Sequence, residues 1–233
     1  MQTQQLHVES ISTVANDVYK IILTCSEPLQ YQAGQYCMIV MGEGDCRPFS
    51  IASSPSESNK IELHIGAVPA NAYAWDVLSV MRETGLTTAQ IAHGDAFLQP
   101  TSQPIVLIAG GTGYSYAKSI IHECVAQQLT QDIHLYWGAK SLEQIYEADE
   151  LSALASQHAN IHFHPVLEHG AKDWQGKTGL VHQAVLTDIA DEIADYQIYI
   201  AGPFAMAKVA RDDFAAAGLP SDALFGDAYA FLD

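Results

Sequence analysis

The sequence predicts two domains of different class: an antiparallel β-barrel or sandwich over residues 1–99, then an α/β domain with a doubly wound parallel sheet over residues 104–233. Three observations predict it. Residues 1 to about 100 hold short β-branched runs punctuated by glycine and by Ser53-Ser-Pro-Ser56, the pattern of a barrel or sandwich. From Pro104 the rhythm changes to alternating strand and helix, which implies a parallel sheet. At the change, Pro104-Ile-Val-Leu-Ile-Ala-Gly-Gly-Thr-Gly-Tyr-Ser-Tyr-Ala117 couples an apolar strand to a helix through a glycine turn.

Taken in order, Val18–Cys25 and Gln35–Met41 are apolar, β-branched strands. Pro48–Ser53 follows, then Ile61–Val68, which alternates as Ile61-Glu-Leu-His-Ile-Gly66. One helix is expected near Ala72–Glu83, stopped by Gly85, and Ala89–Leu98 returns to strand. In the second half, strands at 105–109, 132–138, 160–167 and 196–201 are separated by helical patterns at 114–128, 143–157 and 179–189. A last helix runs from Pro203, suited to a helix start, to Gly218. Ligands of such sheets bind beyond the carboxyl ends of the strands, where Gly110–Gly113, Gly138 and Gly202-Pro203 fall.

Nearly half of the 233 residues are apolar and 16% are charged, so the chain folds and has length for two cores. The apolar runs are shorter than a membrane span, and the start Met1-Gln-Thr-Gln-Gln-Leu6 has neither the basic nor the apolar region of a secretory signal. Cys25, Cys37, Cys46 and Cys124 have no iron–sulfur or zinc spacing, so a reduced cytoplasmic protein is expected, with no metal. Twenty-seven acids against ten Lys and Arg, a net charge of −17, argue against nucleic acid. Each cation is therefore informative: Arg47 in a strand, Lys118 after the glycine turn, Lys140 after the next strand, Lys208 and Arg211 in the last helix. Lys20, Lys60, Lys172 and Lys177 are expected to be solvated.

Two constellations carry chemistry. A glycine turn between strand and helix aims free N–H groups and the positive helix end at one point, which suits a phosphate; a tight turn that binds nothing is the alternative. Arg47-Pro48-Phe49-Ser50 places a guanidinium, a ring and a hydroxyl in four residues, which suits a planar heteroaromatic ligand with polar edges. The alternative is a strand with Phe49 in the core and Arg47 solvated. His162 and His164 alternate on one face of a strand, with His158 and His169 nearby; a metal site is the alternative to the commoner polar surface, and no carboxylate lies between the two. No Gly-x-Ser-x-Gly elbow is present for a hydrolase.

These residues also carry a resemblance. Arg47-Pro-Phe-Ser50 resembles the Arg-x-Tyr/Phe-Ser flavin motif of the ferredoxin–NADP reductase superfamily, and Ala33-Gly-Gln-Tyr36 its Pro-Gly-Gln-Tyr/Phe strand. Gly111-Thr-Gly113 resembles its pyridine-nucleotide turn, and Ala201-Gly-Pro203 with Met206 its Cys-Gly-Pro-x-x-Met segment. Lys60–Gly66, Ile108–Tyr116, Tyr136-Trp137-Gly138 and Leu224–Phe231 place the match with the small bacterial NAD(P)H-flavin reductases, over essentially the whole chain. The resemblance implies a flavin-binding barrel (1–99), an NAD(P)-binding α/β domain (104–233) and an active site between them. It implies that Ser50 is the catalytic hydroxyl at the flavin edge near N5, with Phe49 and Pro48 at the ring and Arg47 at the ribityl or phosphate part. His64, Ile65 and Gly66 would line the other ring edge. Gly110, Gly111, Thr112, Gly113, Tyr114 and Ser115 would cradle the nicotinamide cofactor's pyrophosphate, with Gly202, Pro203 and Met206 beside it. Ala201 replaces a thiol found in many members, and Gly94-Asp-Ala-Phe97 matches the barrel's glycine-rich end only loosely.

The expected activity is hydride transfer from NADH or NADPH to FMN, riboflavin or FAD, held as a loosely bound substrate and released reduced, with a flavin-using oxygenase or a ferric complex downstream. One rival is a flavoprotein reductase subunit that passes electrons to an iron–sulfur or haem protein; another is a nucleotide-sensing module without turnover. The second strand of the α/β domain ends in Ala139-Lys140-Ser141 with no acid at its tip, so Lys140 is the candidate contact for an NADPH 2′-phosphate, or a solvated loop residue. Asp227, between Gly226 and Ala228, is a polar contact near the flavin or a turn residue.

Overall fold

A computed structural model describes residues 2–57, 59–170 and 173–232; Lys172 lies outside these described residues. The chain divides into two compact units, residues up to 98 with 118–127, and residues 99–117 with 128 onward.

The first unit is an antiparallel sheet of six strands: β1 (Gln2–Ala15), β2 (Val18–Thr24), β3 (Tyr36–Gly42), β4 (Asp45–Ser50), β5 (Lys60–Gly66) and β6 (Leu86–His93). Their order is β4-β3-β6-β1-β2-β5. An isolated bridge, Ile51 to Leu63, joins the two outer strands, and Ala52 N–H donates to the Glu62 carbonyl at 2.7 Å. Closure of this kind removes exposed sheet edges and makes the sheet a barrel. Inward residues such as Ile21, Leu23, Ile39, Ile61 and Leu63 are fully buried and form the core with Val77, Leu78 and Met81 of α1 (Ala72–Thr84). That helix is capped by Asn71, whose side chain accepts from Tyr73 N–H, and is ended by Gly85 in the left-handed conformation (φ 66°).

The second unit contains β7 (Ile105–Gly110), α2 (Tyr114–Ala126, its first turn only), β8 (Ile133–Ala139), α3 (Ala148–Gln157), β9 (Ile161–Leu167), β10 (Lys177–Thr178), α4 (Val181–Ile189), β11 (Gln197–Ala201), α5 (Phe204–Ala216) and β12 (Leu224–Phe225). All strand pairs are parallel, in the order β10-β9-β8-β7-β11-β12. The order reverses at β7, which pairs with β8 on one side and β11 on the other, so the turn after β7 stands at the switch point of the sheet. Val106, Ile108, Tyr136, Ile198 and Ile200 bury one face against Val185 of α4 and Phe214 of α5. No helix among the described residues is long and apolar enough to cross a membrane.

Three expectations change here. The helix expected over 143–157 starts at Ala148, because Leu142–Gln144 form a separate 3-10 turn. β1 was not foreseen; it pairs with β6 in unbroken register and with β2 through two register shifts. Lys20 and Lys177, expected to be solvated, are half-buried and paired, Lys20 with Glu62 at 3.8 Å and Lys177 with Asp188 at 2.6 Å.

Residues 118–127 continue α2 yet belong to the barrel unit. Ser119 Oγ donates to the Ser53 carbonyl at 2.7 Å, and the Glu123 carboxylate accepts from Ser54 at 2.5 Å and Ser56 at 3.0 Å. Ser53, Ser54 and Ser119 are buried, so these bonds replace water that the side chains have lost.

Candidate active site

In the barrel unit the site is built on β4 and β5. Ser50 ends β4 opposite Tyr36 of β3, and the Ile51–Leu63 bridge brings it beside His64. Alternation sends Arg47 and Phe49 to one side of β4 and Pro48 and Ser50 to the other. Phe49 is half-buried against the barrel core and Pro48 is exposed. Arg47 turns to α1: its Nη1 donates to the Tyr73 carbonyl at 2.5 Å, while Nε and Nη2 grip Asp45 at 2.9 and 2.7 Å.

On β5, His64 and Ile65 are buried and Gly66 is exposed. One carboxylate oxygen, Glu62 Oε1, is bonded to His64 Nε2 at 2.6 Å and accepts from Lys118 Nζ at 2.7 Å. Burial alone would raise the Glu62 pKa, but the His64 hydrogen bond and the Lys118 charge overcome it and hold the carboxyl well below its usual range. The carboxylate thus stays ionised and fixes the buried imidazole's orientation.

In the α/β unit, Gly110 ends β7 and Gly111-Thr112-Gly113 form one 3-10 turn that runs into α2. Gly111 has φ 55°, a left-handed conformation that disfavours any side chain. The other glycines are set by contact. A Cβ on Gly113 would fall on the Ala201 carbonyl and 2.9 Å from Gly202 N; one on Gly110 would lie 2.8 Å from Met206 Sδ and 3.1 Å from Pro203 Cδ. The structure therefore brings Gly110–Gly113 together with Gly202, Pro203 and Met206, although some 90 residues separate them in sequence. Beneath the turn, Trp137 Nε1 donates to the Gly111 carbonyl at 3.1 Å and its ring stacks on Tyr114 at 3.9 Å. The Tyr114 hydroxyl donates to the buried Glu147 carboxylate at 2.9 Å. Ser115, in the first turn of α2, is buried and its hydroxyl has no hydrogen-bond partner among the described residues. A buried orphan hydroxyl at a helix N-terminus fits an anion accepted there from outside the protein.

Trp137, part of the Tyr136-Trp137-Gly138 resemblance, supports the glycine turn, and so does Glu147, a residue with no signal in the sequence, through Tyr114. Lys140 follows β8, is exposed and makes no ion pair among the described residues. Beyond the tip, Glu143 of the following 3-10 turn takes a hydrogen bond from the Ser141 side chain, which lowers its pKa. The histidine motif of β9 gains a partner: His134 of β8 stacks on His162 at 4.6 Å, and its Nδ1 meets His164 Nε2 at 3.1 Å. Asp227 begins the last 3-10 turn, close enough for its charge to add to burial in raising the Tyr116 pKa.

Residues 107–212 match the oxidoreductase NAD-binding domain family. The chain is 48% identical to an NAD(P)H-flavin reductase of Vibrio harveyi, covering 99% of this chain and all of that one. It is 44% identical to an NAD(P)H-flavin reductase of Aliivibrio fischeri, covering 97% and 98%. In fold it is similar to a ferredoxin NADP+ reductase from Neisseria gonorrhoeae with bound FAD and NADP (TM-score 0.80, 15% identity, 97% and 98% covered). It is also similar to the ferredoxin reductase in carbazole 1,9a-dioxygenase (TM-score 0.84, 22% identity), spanning 98% of this chain and 69% of that one.

Proposed function

The chain belongs to the family of NAD(P)H-flavin reductases, and from that premise we propose how its two units divide the work. The nicotinamide supplies a hydride, two electrons and a proton, and the flavin takes it up. The barrel unit receives the flavin along Arg47–Ser50 and His64–Gly66, and the α/β unit receives NAD(P)H at the glycine turn.

The observation that carries this reading is the turn itself. Gly111 holds a left-handed φ, a Cβ on Gly113 would fall on the Ala201 backbone, and the buried Ser115 hydroxyl beside them has no hydrogen-bond partner among the described residues. Gly111, Thr112 and Ser115 present donors to the pyrophosphate, while Trp137 and Tyr114 keep the turn in place. Gly202, Pro203 and Met206 wall the nicotinamide end. Ser50 holds the flavin edge at which the hydride arrives, and His64, kept in orientation by Glu62, lines the opposite edge. Position and electrostatics are the protein's contribution, so no general base is needed.

FMN, riboflavin and FAD all act as exchangeable substrates, and both NADH and NADPH serve as donors. The reduced flavin leaves for an acceptor such as a flavin-using oxygenase or a ferric complex. The deciding experiment mixes protein with NADH and free flavin and follows NADH absorbance. Oxidation that depends on added flavin is expected. NADH oxidation that requires an iron–sulfur or haem protein instead would make the chain a reductase subunit. A flavin that stays bound in stoichiometric amount through gel filtration would refute its role as substrate.

A further inference from the structure

Arg47 stands in the strand that receives the flavin, yet its guanidinium is already engaged. Asp45 lies two residues earlier, hence on the same side of β4, and takes Nε at 2.9 Å and Nη2 at 2.7 Å as a bidentate pair. Nη1 donates to the carbonyls of Tyr73 at 2.5 Å and Ala72 at 3.4 Å, and lies 3.8 Å from Asp76. The guanidinium also lies over the Tyr73 ring, 5.1 Å from its centroid. Only 13% of the Arg47 side chain is exposed, whereas Asp45 is 46% exposed.

The planar fork of arginine recognises carboxylate and phosphate by the same two parallel N–H···O bonds. One occupant therefore excludes the other. The local balance is one guanidinium against the carboxylates of Asp45 and Asp76, within a chain of net charge −17. A phosphate monoester that approached Arg47 would have to displace Asp45 and would leave two carboxylates beside it.

We propose that Asp45 is a specificity-determining residue: by holding the Arg47 fork it makes the barrel unit accept flavins with an uncharged ribityl chain and disfavours those whose chain ends in phosphate. The inference rests on the reading above, in which Arg47 lies at the flavin's tail. It adds to that reading a residue that acts against the phosphate.

The test is steady-state KM for riboflavin and for FMN, at saturating NADH, in the wild type and in Asp45→Asn, Asp45→Glu and Arg47→Ala. The wild type is expected to have the higher KM for FMN. In Asp45→Asn the ratio KM(FMN)/KM(riboflavin) falls about fivefold, the size of one exposed charge contact. Added salt erodes that gain, because the new contact is a screened charge pair. Asp45→Glu restores the wild-type ratio, and Asp45→Asn has no effect on it when Arg47→Ala is also present. A ratio unchanged in Asp45→Asn, or a wild type that already favours FMN, overturns the proposal while the flavin reductase reading stands. If the wild type reduces no flavin with either nicotinamide, that reading falls and the role of Asp45 falls with it.

Discussion

Gly113→Ala tests the junction on which the proposed nicotinamide site depends. The added methyl would sit on the Ala201 carbonyl oxygen, 2.5 Å from its carbon and 2.9 Å from Gly202 N. All three are backbone atoms, and ordinary contact begins near 3.4 Å, so the turn and the tip of β11 must separate by about 1 Å. Neither side yields easily: Trp137 and Tyr114 support the turn, and Ala201 is paired with Ala109 in the sheet. Overpacking of this kind costs about 1–3 kcal/mol, which for a chain of this length lowers Tm by several degrees. The same displacement carries the N–H groups away from the pyrophosphate, and a misplacement of about 1 Å costs on the order of 100-fold in kcat/KM. Thermal unfolding followed by circular dichroism, together with steady-state kinetics in NADH, reads both effects. Gly42→Ala is the control, since a Cβ there meets nothing within 4 Å. If Gly113→Ala keeps the wild-type Tm and the wild-type kcat/KM for NADH, the close approach of turn and strand tip does not organise the site.

Ser50→Ala is expected to retain the fold and to slow flavin reduction by the loss of one positioned hydrogen bond, about 1–3 kcal/mol in the barrier. An unchanged kcat with riboflavin and NADPH would take Ser50 out of the mechanism. Lys140→Ala should raise KM for NADPH several-fold and leave KM for NADH nearly unaltered; equal effects on the two donors would discard that assignment. Glu143→Gln is expected to act oppositely, lowering KM for NADPH, because it removes an acid beside Ser141. The last test is of pH. Burial, then the neighbouring His134, pulls the His164 pKa from its ordinary 6.5 to about 4. The folded state therefore favours neutral imidazole. The stability this contributes is present above about pH 6.5 and is lost as the pH falls towards 4. The groups facing it are His134, Asp188, Lys177 and His162. His164→Gln should show a smaller drop in Tm over that interval than the wild type, and an identical drop would refute the linkage.

Local rules made much of the architecture readable before any coordinates. β-branched runs such as Val18–Cys25 and Ile105–Ala109 became strands because their side chains suit a buried pleated surface. Gly85 and Gly218 close helices at positive φ, 66° and 100°, where glycine carries no Cβ penalty. Pro203 caps α5 because its fixed φ suits a helix entrance. The glycine turn was legible because its chemistry is contiguous in sequence. β1 was not: Gln2–Ala15 is polar and lacks strict alternation, and it is a strand only because β2 and β6 accept its backbone hydrogen bonds. Residues 118–127 read as the second half of one helix, yet Ser53, Ser54 and Ser56, more than 60 residues away, bind them into the barrel unit. Tertiary structure also decided that Gly110 abuts Met206, that Ser115 keeps an unmet hydroxyl, and that the Arg47 fork is filled by Asp45 and α1. Periodicity reports which face of a segment is buried; what that face meets is set by pairings distant in sequence, and those exist only once the chain has closed on itself.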